Sequence, residues 1–156
     1  MPAAGKTTIG VALAKALGKP FYDTDDLVFK ISGKTSEEII KSRGEEAFRD
    51  IEEGAVKTAL GNCGSVVALG GGAVTRENNI RLLKQTAFTV YIKRPLSALT
   101  DESRPLSKTY GVQALFERRS PLYERAADLC FTNDGSIDEI VKRIKESYEN
   151  FCRERP

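Results

Sequence analysis

The chain has 156 residues; 24 Lys plus Arg against 22 Asp plus Glu leave a formal charge of +2, with 40% hydrophobic and 29% charged residues. These figures describe one globular domain with enough apolar material for a sizeable core, and a charge so near zero supplies no long-range field to gather nucleic acid or anionic lipid. No window approaches the roughly 18 consecutive apolar residues of a membrane-spanning helix, so neither a membrane nor nucleic acid is an expected partner.

Cys63, Cys130 and Cys152 are an odd number at spacings that fit neither a disulfide framework nor a zinc site, and the expected compartment is a reducing cytoplasm. The chain has no histidine. Catalysis must therefore rest on carboxylates, Lys, Arg and backbone groups. The N-terminal stretch carries Lys6, Lys15 and Lys19 without an acid, but these lysines interrupt its apolar run, it has no Arg, and it leads directly into a folded pattern. It reads as part of the domain rather than as a leader.

In chain order, a helix is predicted from Lys6 to Leu17, ended by Gly18, with Ile9, Val11, Leu13, Ala14 and Leu17 as its apolar side. A short strand over Pro20 to Tyr22 runs into the acidic turn Asp23-Thr24-Asp25-Asp26. Two helices follow: Thr35-Ser36-Glu37-Glu38 has capping-box form, and Glu45 to Leu60 is long and amphipathic, closed by Gly61. Ser65 to Leu69 is a continuous apolar run, as expected of a strand buried on both faces, and empties into Gly70-Gly71-Gly72. A helix near Glu77 to Lys84 and a strand at Phe88 to Ile92 come next, then a polar segment from Arg94 to Tyr110 with no clear period, read as mostly loop. Val112 to Arg118 is helical, a second helical stretch begins near Pro121, and Leu129 to Thr132 is the last strand. Ser136-Ile137-Asp138-Glu139 opens a final amphipathic helix ending near Cys152. Helices alternating with short strands predict a single α/β domain, a parallel sheet covered by helices.

Ala4-Gly5-Lys6-Thr7-Thr8 before the first helix is the second half of a phosphate-binding loop of the form G-x-x-x-x-G-K-[ST]. Backbone N–H groups at a helix N-terminus attract phosphate, Lys6 can reach the outer phosphates, and the Thr7 hydroxyl can hold magnesium. The same residues also suit an ordinary helix with an early lysine. The first glycine of the motif would fall immediately before Met1, and the strand that aims such a loop is missing from the chain as it stands. Two explanations are open: an upstream segment of about five apolar residues ending in Gly, or a relative that no longer grips nucleotide well. The undamaged look of the rest favours the first.

Asp23-Thr24-Asp25 follows a strand and should lie near the phosphate loop, where an aspartate can orient or deprotonate an attacking hydroxyl; capping of the next helix is the plainer explanation. Arg49 sits on the long helix within reach of Glu45, Glu52 and Glu53, so a surface ion pair competes with a ligand role. A strand ending in three glycines points to close approach of backbone to ligand. Arg104 belongs to the polar segment, where a cation can close over phosphates and exclude water. Arg119 lies in Arg119-Ser120-Pro121-Leu122-Tyr123, read as a fixed turn between helices, a setting suited to bidentate capture of a carboxylate.

In order, Gly5-Lys6-Thr7-Thr8, Asp23-Thr24-Asp25, Phe48-Arg49 with Glu52, Gly70-Gly71-Gly72, Arg104-Pro105-Leu106 and Arg119-Ser120-Pro121-Leu122-Tyr123 resemble the shikimate kinase family over nearly the whole chain. The resemblance implies a P-loop, nucleoside-monophosphate-kinase-like fold with a five-stranded parallel sheet flanked by helices, its first strand absent here, and a lid over about 96–110. Loss of that strand, central in the family, would leave a gap with two exposed strand edges. The implied reaction is transfer of the γ-phosphoryl of ATP to the 3-hydroxyl of shikimate, a step in chorismate and aromatic amino-acid biosynthesis, with Mg2+ as cofactor. By position, Pro2, Ala3, Ala4, Gly5, Lys6, Thr7, Thr8 and Arg104 would bind nucleotide, and Thr7 and Asp23 would hold the metal. Asp25, Arg49, Gly71, Gly72 and Arg119 would bind the acid, with Lys6, Asp25 and Arg104 catalytic. A monomer acting on two small molecules is expected. Another acceptor, such as gluconate or a nucleoside monophosphate, and a non-catalytic paralogue are the competing readings.

Overall fold

The computed structural model describes residues 5–93 and 111–154. Helix α1 spans Lys6–Leu17 and ends at Gly18, whose φ of 64° closes the last turn. Its buried side is Ile9, Gly10 and Ala14; Val11, expected on the apolar side, is exposed instead. Strand β1 is Phe21–Asp23, and α2, Thr24–Ser32, starts without an intervening turn because Asp23 itself is the cap: its carboxylate accepts from the Asp25 N–H.

Helix α3 covers Ser36–Leu60 and opens with the predicted capping box, in which the Thr35 hydroxyl accepts from the Glu38 N–H and the Glu38 carboxylate accepts from the Thr35 N–H. At Gly44 (φ 85°, ψ 168°) the backbone leaves helical geometry, so the two predicted helices meet at a kink there. Strand β2 is Val66–Ala68, followed by the glycine run and a 3-10 turn at Ala73–Thr75. Helix α4 is Glu77–Thr86 and strand β3 is Val90–Lys93.

Helix α5 runs unbroken over Val112–Ala126 with Pro121 inside it, which corrects the expectation of a turn joining two helices. An interior proline costs roughly 3 kcal/mol. Here Leu115, Arg119, Tyr123 and Ala126, spaced at helical intervals, are all buried on one side, and that burial outweighs the lost hydrogen bond. Strand β4 is Leu129–Thr132, and α6, Ile137–Glu154, begins with a second reciprocal pair between Ser136 and Glu139.

The strands form two parallel pairs: β1 with β2, in register Tyr22↔Val67, and β3 with β4, in register Tyr91↔Cys130. Among the described residues β2 and β3 share no ladder. Between them lies an apolar cleft of about 380 Å³, walled by Val67 and Leu69 on one side, Val90 and Ile92 on the other, with Ile9 and Leu13 of α1 on its floor. Four strands are thus described, in pairs flanking the expected gap, where the resemblance implied five in one sheet. Val66 and Val67 are consequently only half-buried, not covered on both faces as their apolar run suggested.

Three apolar clusters hold this frame. Ile9, Phe131, Ile140, Val141 and Ile144 join α1, β4 and α6; Val74, Ile80, Tyr91, Tyr123 and Ala126 join α5 to β3 and α4; and Val28, Ile39, Phe48 and Ala55 seal α2 against α3. The last two clusters flank the glycine run after β2 and set the elements that carry the site.

The capping-box carboxylates give a direct check of the helix starts. Glu38 is held below 4.5 chiefly by the Thr35 backbone N–H, and Glu139 chiefly by the Ser136 hydroxyl. Each folded-state value is depressed, so the stabilisation is complete above 4.5 and is lost as pH falls through the folded values. Carboxyl NMR titration should find both groups titrating below 4.5, and Thr35→Ala, which removes the hydroxyl that also donates to Glu38 but keeps the N–H, should return Glu38 only part of the way.

Candidate active site

Gly5 (φ 79°) caps the N-terminus of α1, with its carbonyl accepting from the Ile9 N–H at 2.9 Å, so the N–H groups of the first turn, at Lys6, Thr7 and Thr8, point away from the helix. The Thr7 hydroxyl donates to Asp23 Oδ2 at 2.9 Å, and Asp23 Oδ1 accepts from the Asp25 N–H at 3.0 Å. The end of β1 therefore lies against the start of α1, as expected from the sequence. One carboxylate serves two ends: it caps α2 and faces the phosphate-binding helix. Thr7 Oγ1 and Asp23 are hard oxygen donors suited to Mg2+, which keeps water and phosphate oxygens as most of its shell. Among the described residues no cluster of three or more His, Cys, Asp or Glu could cage a metal unaided. Pro2, Ala3, Ala4 and Arg104, and the expected lid over about 96–110, lie outside the described residues.

The second half of the site is built on the glycine run. Arg49 is only 4% exposed, its Nη1 donating to Glu52 Oε2 at 2.5 Å and its Nη2 to Glu45 Oε1 at 3.1 Å, with the Phe48 ring 4.9 Å from the guanidinium carbon. The ion pair weighed against a ligand role does exist, but it is buried: Glu52 is 2% exposed. Burial pushes the Glu52 carboxyl above its usual value, and Arg49 opposes that push.

The glycines are required by close approach. A Cβ on Gly72 would fall inside the Arg49 guanidinium, and one on Gly70 would come within 2.6 Å of Glu52 Oε1 and 3.0 Å of Asp25 Oδ1. The Gly70 N–H donates to the fully buried Thr24 hydroxyl at 2.8 Å. From the other side, Arg119 of α5, 6% exposed, donates to the Gly71 carbonyl at 3.3 Å, and the Tyr123 hydroxyl donates to the same oxygen at 2.5 Å. Arg119 is fixed by a helix, not by the turn expected of it.

A chain of contacts thus runs from Thr7 through Asp23 and Asp25 to Gly70, and from Gly71 and Gly72 to both arginines. A phosphate-binding helix end, a carboxylate and two buried cations converge from α1, α2, α3 and α5. From the sequence, Thr24 reads only as a helix cap, Glu52 only as a surface partner of Arg49, and Tyr123 has no role. Their signal was helical spacing, since Glu52 follows Arg49 by three residues and Tyr123 follows Arg119 by four.

The chain is similar in sequence and in fold to known proteins of one family. A family model described as shikimate kinase matches residues 2–149. A shikimate kinase of Clostridium botulinum (strain Alaska E43 / Type E3) is 34% identical, covering 94% of this chain and 92% of that protein. One from Ruegeria pomeroyi is 37% identical, covering 92% and 79%. Among solved structures, shikimate kinase from Acinetobacter baumannii in complex with shikimate aligns with a TM-score of 0.88 at 31% identity, over 96% of this chain and 89% of that one. The Aquifex aeolicus shikimate kinase aligns at 0.82, also 31% identical, over 96% and 93%.

Removing one partner of a buried ion pair leaves the other charge uncompensated. Glu52→Ala should lower unfolding free energy by about 3–5 kcal/mol in urea denaturation, whereas Glu53→Ala, next along the helix and paired with the exposed Lys57, should cost under about 1 kcal/mol.

Proposed function

The chain belongs to the shikimate kinase family, and we propose that it transfers the γ-phosphoryl of ATP to the 3-hydroxyl of shikimate, giving shikimate 3-phosphate for chorismate and aromatic amino-acid biosynthesis. The observation that carries this reading is the placement of two buried guanidiniums, Arg49 and Arg119, on one glycine loop whose other end meets Asp25. A small polyhydroxylated acid needs cations at one end and a carboxylate at the other.

In this reading Arg49 and Arg119 grip the carboxylate of the acid, and the backbone at Gly71 and Gly72 lies along its ring. Asp25 accepts the hydrogen bond of the attacking hydroxyl and takes its proton as the oxygen bonds to the γ-phosphorus. The bond from that phosphorus to the bridging oxygen breaks, and ADP leaves with the electron pair. Gly5, Lys6, Thr7 and Thr8, with Pro2, Ala3 and Ala4 before them, bind the phosphates, and Lys6 draws off charge as it spreads over the transferring group. Thr7 and Asp23 are the residues that would hold Mg2+, which when bound supplies neutralisation of phosphate charge. Arg104 and the lid keep the roles implied by the family resemblance. The enzyme is further proposed to act as a monomer on two small molecules, in the cytoplasm, a placement supported by the free, exposed Cys63, Cys130 and Cys152.

Purified protein supplied with ATP, Mg2+ and shikimate should form shikimate 3-phosphate; turnover of gluconate but not shikimate would end the proposal, and absence of any heat with ATP and Mg2+ would favour a non-catalytic paralogue. Asp25→Asn should leave folding intact while turnover falls at least roughly a hundredfold; unchanged turnover would remove Asp25 from its role. Arg119→Ala should raise KM for the acid far more than KM for ATP, and equal effects would argue against a carboxylate grip.

A further inference from the structure

Tyr123 has no part in the proposed reaction, yet it makes the shortest contact to the loop that carries the acid. Its ring is buried beside Tyr91, centroids 4.9 Å apart, in the cluster with Val74, Ile80 and Ala126. Its hydroxyl donates to the Gly71 carbonyl at 2.5 Å, while Arg119, one turn earlier on α5, reaches the same oxygen at 3.3 Å. A carbonyl has two lone pairs, and these donors use both. The loop is held on either side as well, by Thr24 on the Gly70 N–H and by Arg49 packed against Gly72.

We propose that Tyr123 is a positioning residue for the acid site: by taking the short bond to Gly71, its hydroxyl fixes the glycine loop and spares Arg119 from anchoring it. Only one guanidinium nitrogen of Arg119 touches that carbonyl, at the long end of hydrogen-bond distance. Without the hydroxyl, a buried acceptor loses its better donor, and Arg119 is the group placed to move in. That movement draws the guanidinium toward the loop and away from an incoming carboxylate. The phosphate end, built on α1, is not involved. Burial pushes the Tyr123 hydroxyl up in pKa, with Arg119 opposing, so it stays a donor at neutral pH.

The inference rests on the proposed function for its substrate, and the test separates the two. Tyr123→Phe keeps the ring and removes only the hydroxyl. In kinetics it should raise KM for shikimate about five- to tenfold, the scale of one lost hydrogen bond, with KM for ATP and kcat within about twofold. In an Arg119→Ala background the same change should raise KM for shikimate by less than about twofold, because its route of action is gone. In ligand-free protein, amide NMR should show Gly71 and Gly72 shifting in Tyr123→Phe while Lys6 and Thr7 stay in place. Equal rises in both KM values, full additivity with Arg119→Ala, unmoved Gly71 and Gly72 amides, or loss of the fold in Tyr123→Phe would each overturn the proposal. If wild-type protein does not phosphorylate shikimate, the proposed function fails, and the NMR comparison still decides whether Tyr123 positions the loop.

Discussion

The backbone after β2 carries no side chain for three residues, and the rest of the site is arranged around that bare stretch. Arg49 comes against Gly72, and the Glu52 carboxylate against Gly70, at distances a single Cβ would forbid, and Asp25 lies close beside Gly70. The strip of peptide is fastened by Arg119 and Tyr123 from α5 and by Thr24 from α2. A side chain at Gly72 would displace the Arg49 guanidinium, and one at Gly70 would press on the Glu52 carboxylate.

Burying Arg49 and Glu52 is expensive, since each ion loses its water, and their mutual attraction returns much of this only because the geometry is close and Glu45 takes a further guanidinium nitrogen. A pair of apolar residues of similar volume would hold α3 to the glycine loop at less cost. Retention of charge at this place therefore argues for binding rather than for stability. The exposed pairs, such as Arg76 with Glu46 and Asp50, carry no comparable cost and contribute little.

Most of the frame was legible in the sequence where local chemistry decides it. The limits of α1, the capping boxes at Thr35 and Ser136 and the strand at Leu129–Thr132 all follow from caps and periodicity. What escaped was decided by distant groups. Pro121 reads as a break, yet the buried side of α5 carries the helix through it. Val66 and Val67 read as fully buried, yet they wall a cleft. The family's motifs marked Arg49 and Arg119, but neither the burial of the Arg49 pair nor the sharing of one carbonyl by Arg119 and Tyr123 can be read from a linear string, because each depends on how α3 and α5 close on the same loop.

The locking of Arg49 between Glu45 and Glu52 has a consequence for recognition. A long, rotatable side chain that folding has already confined to one rotamer has little entropy left to lose when a ligand arrives. The receptor is then stiff before the encounter, and discrimination falls on shape: a guest whose anionic group is set an ångström off the guanidinium cannot summon the side chain to meet it.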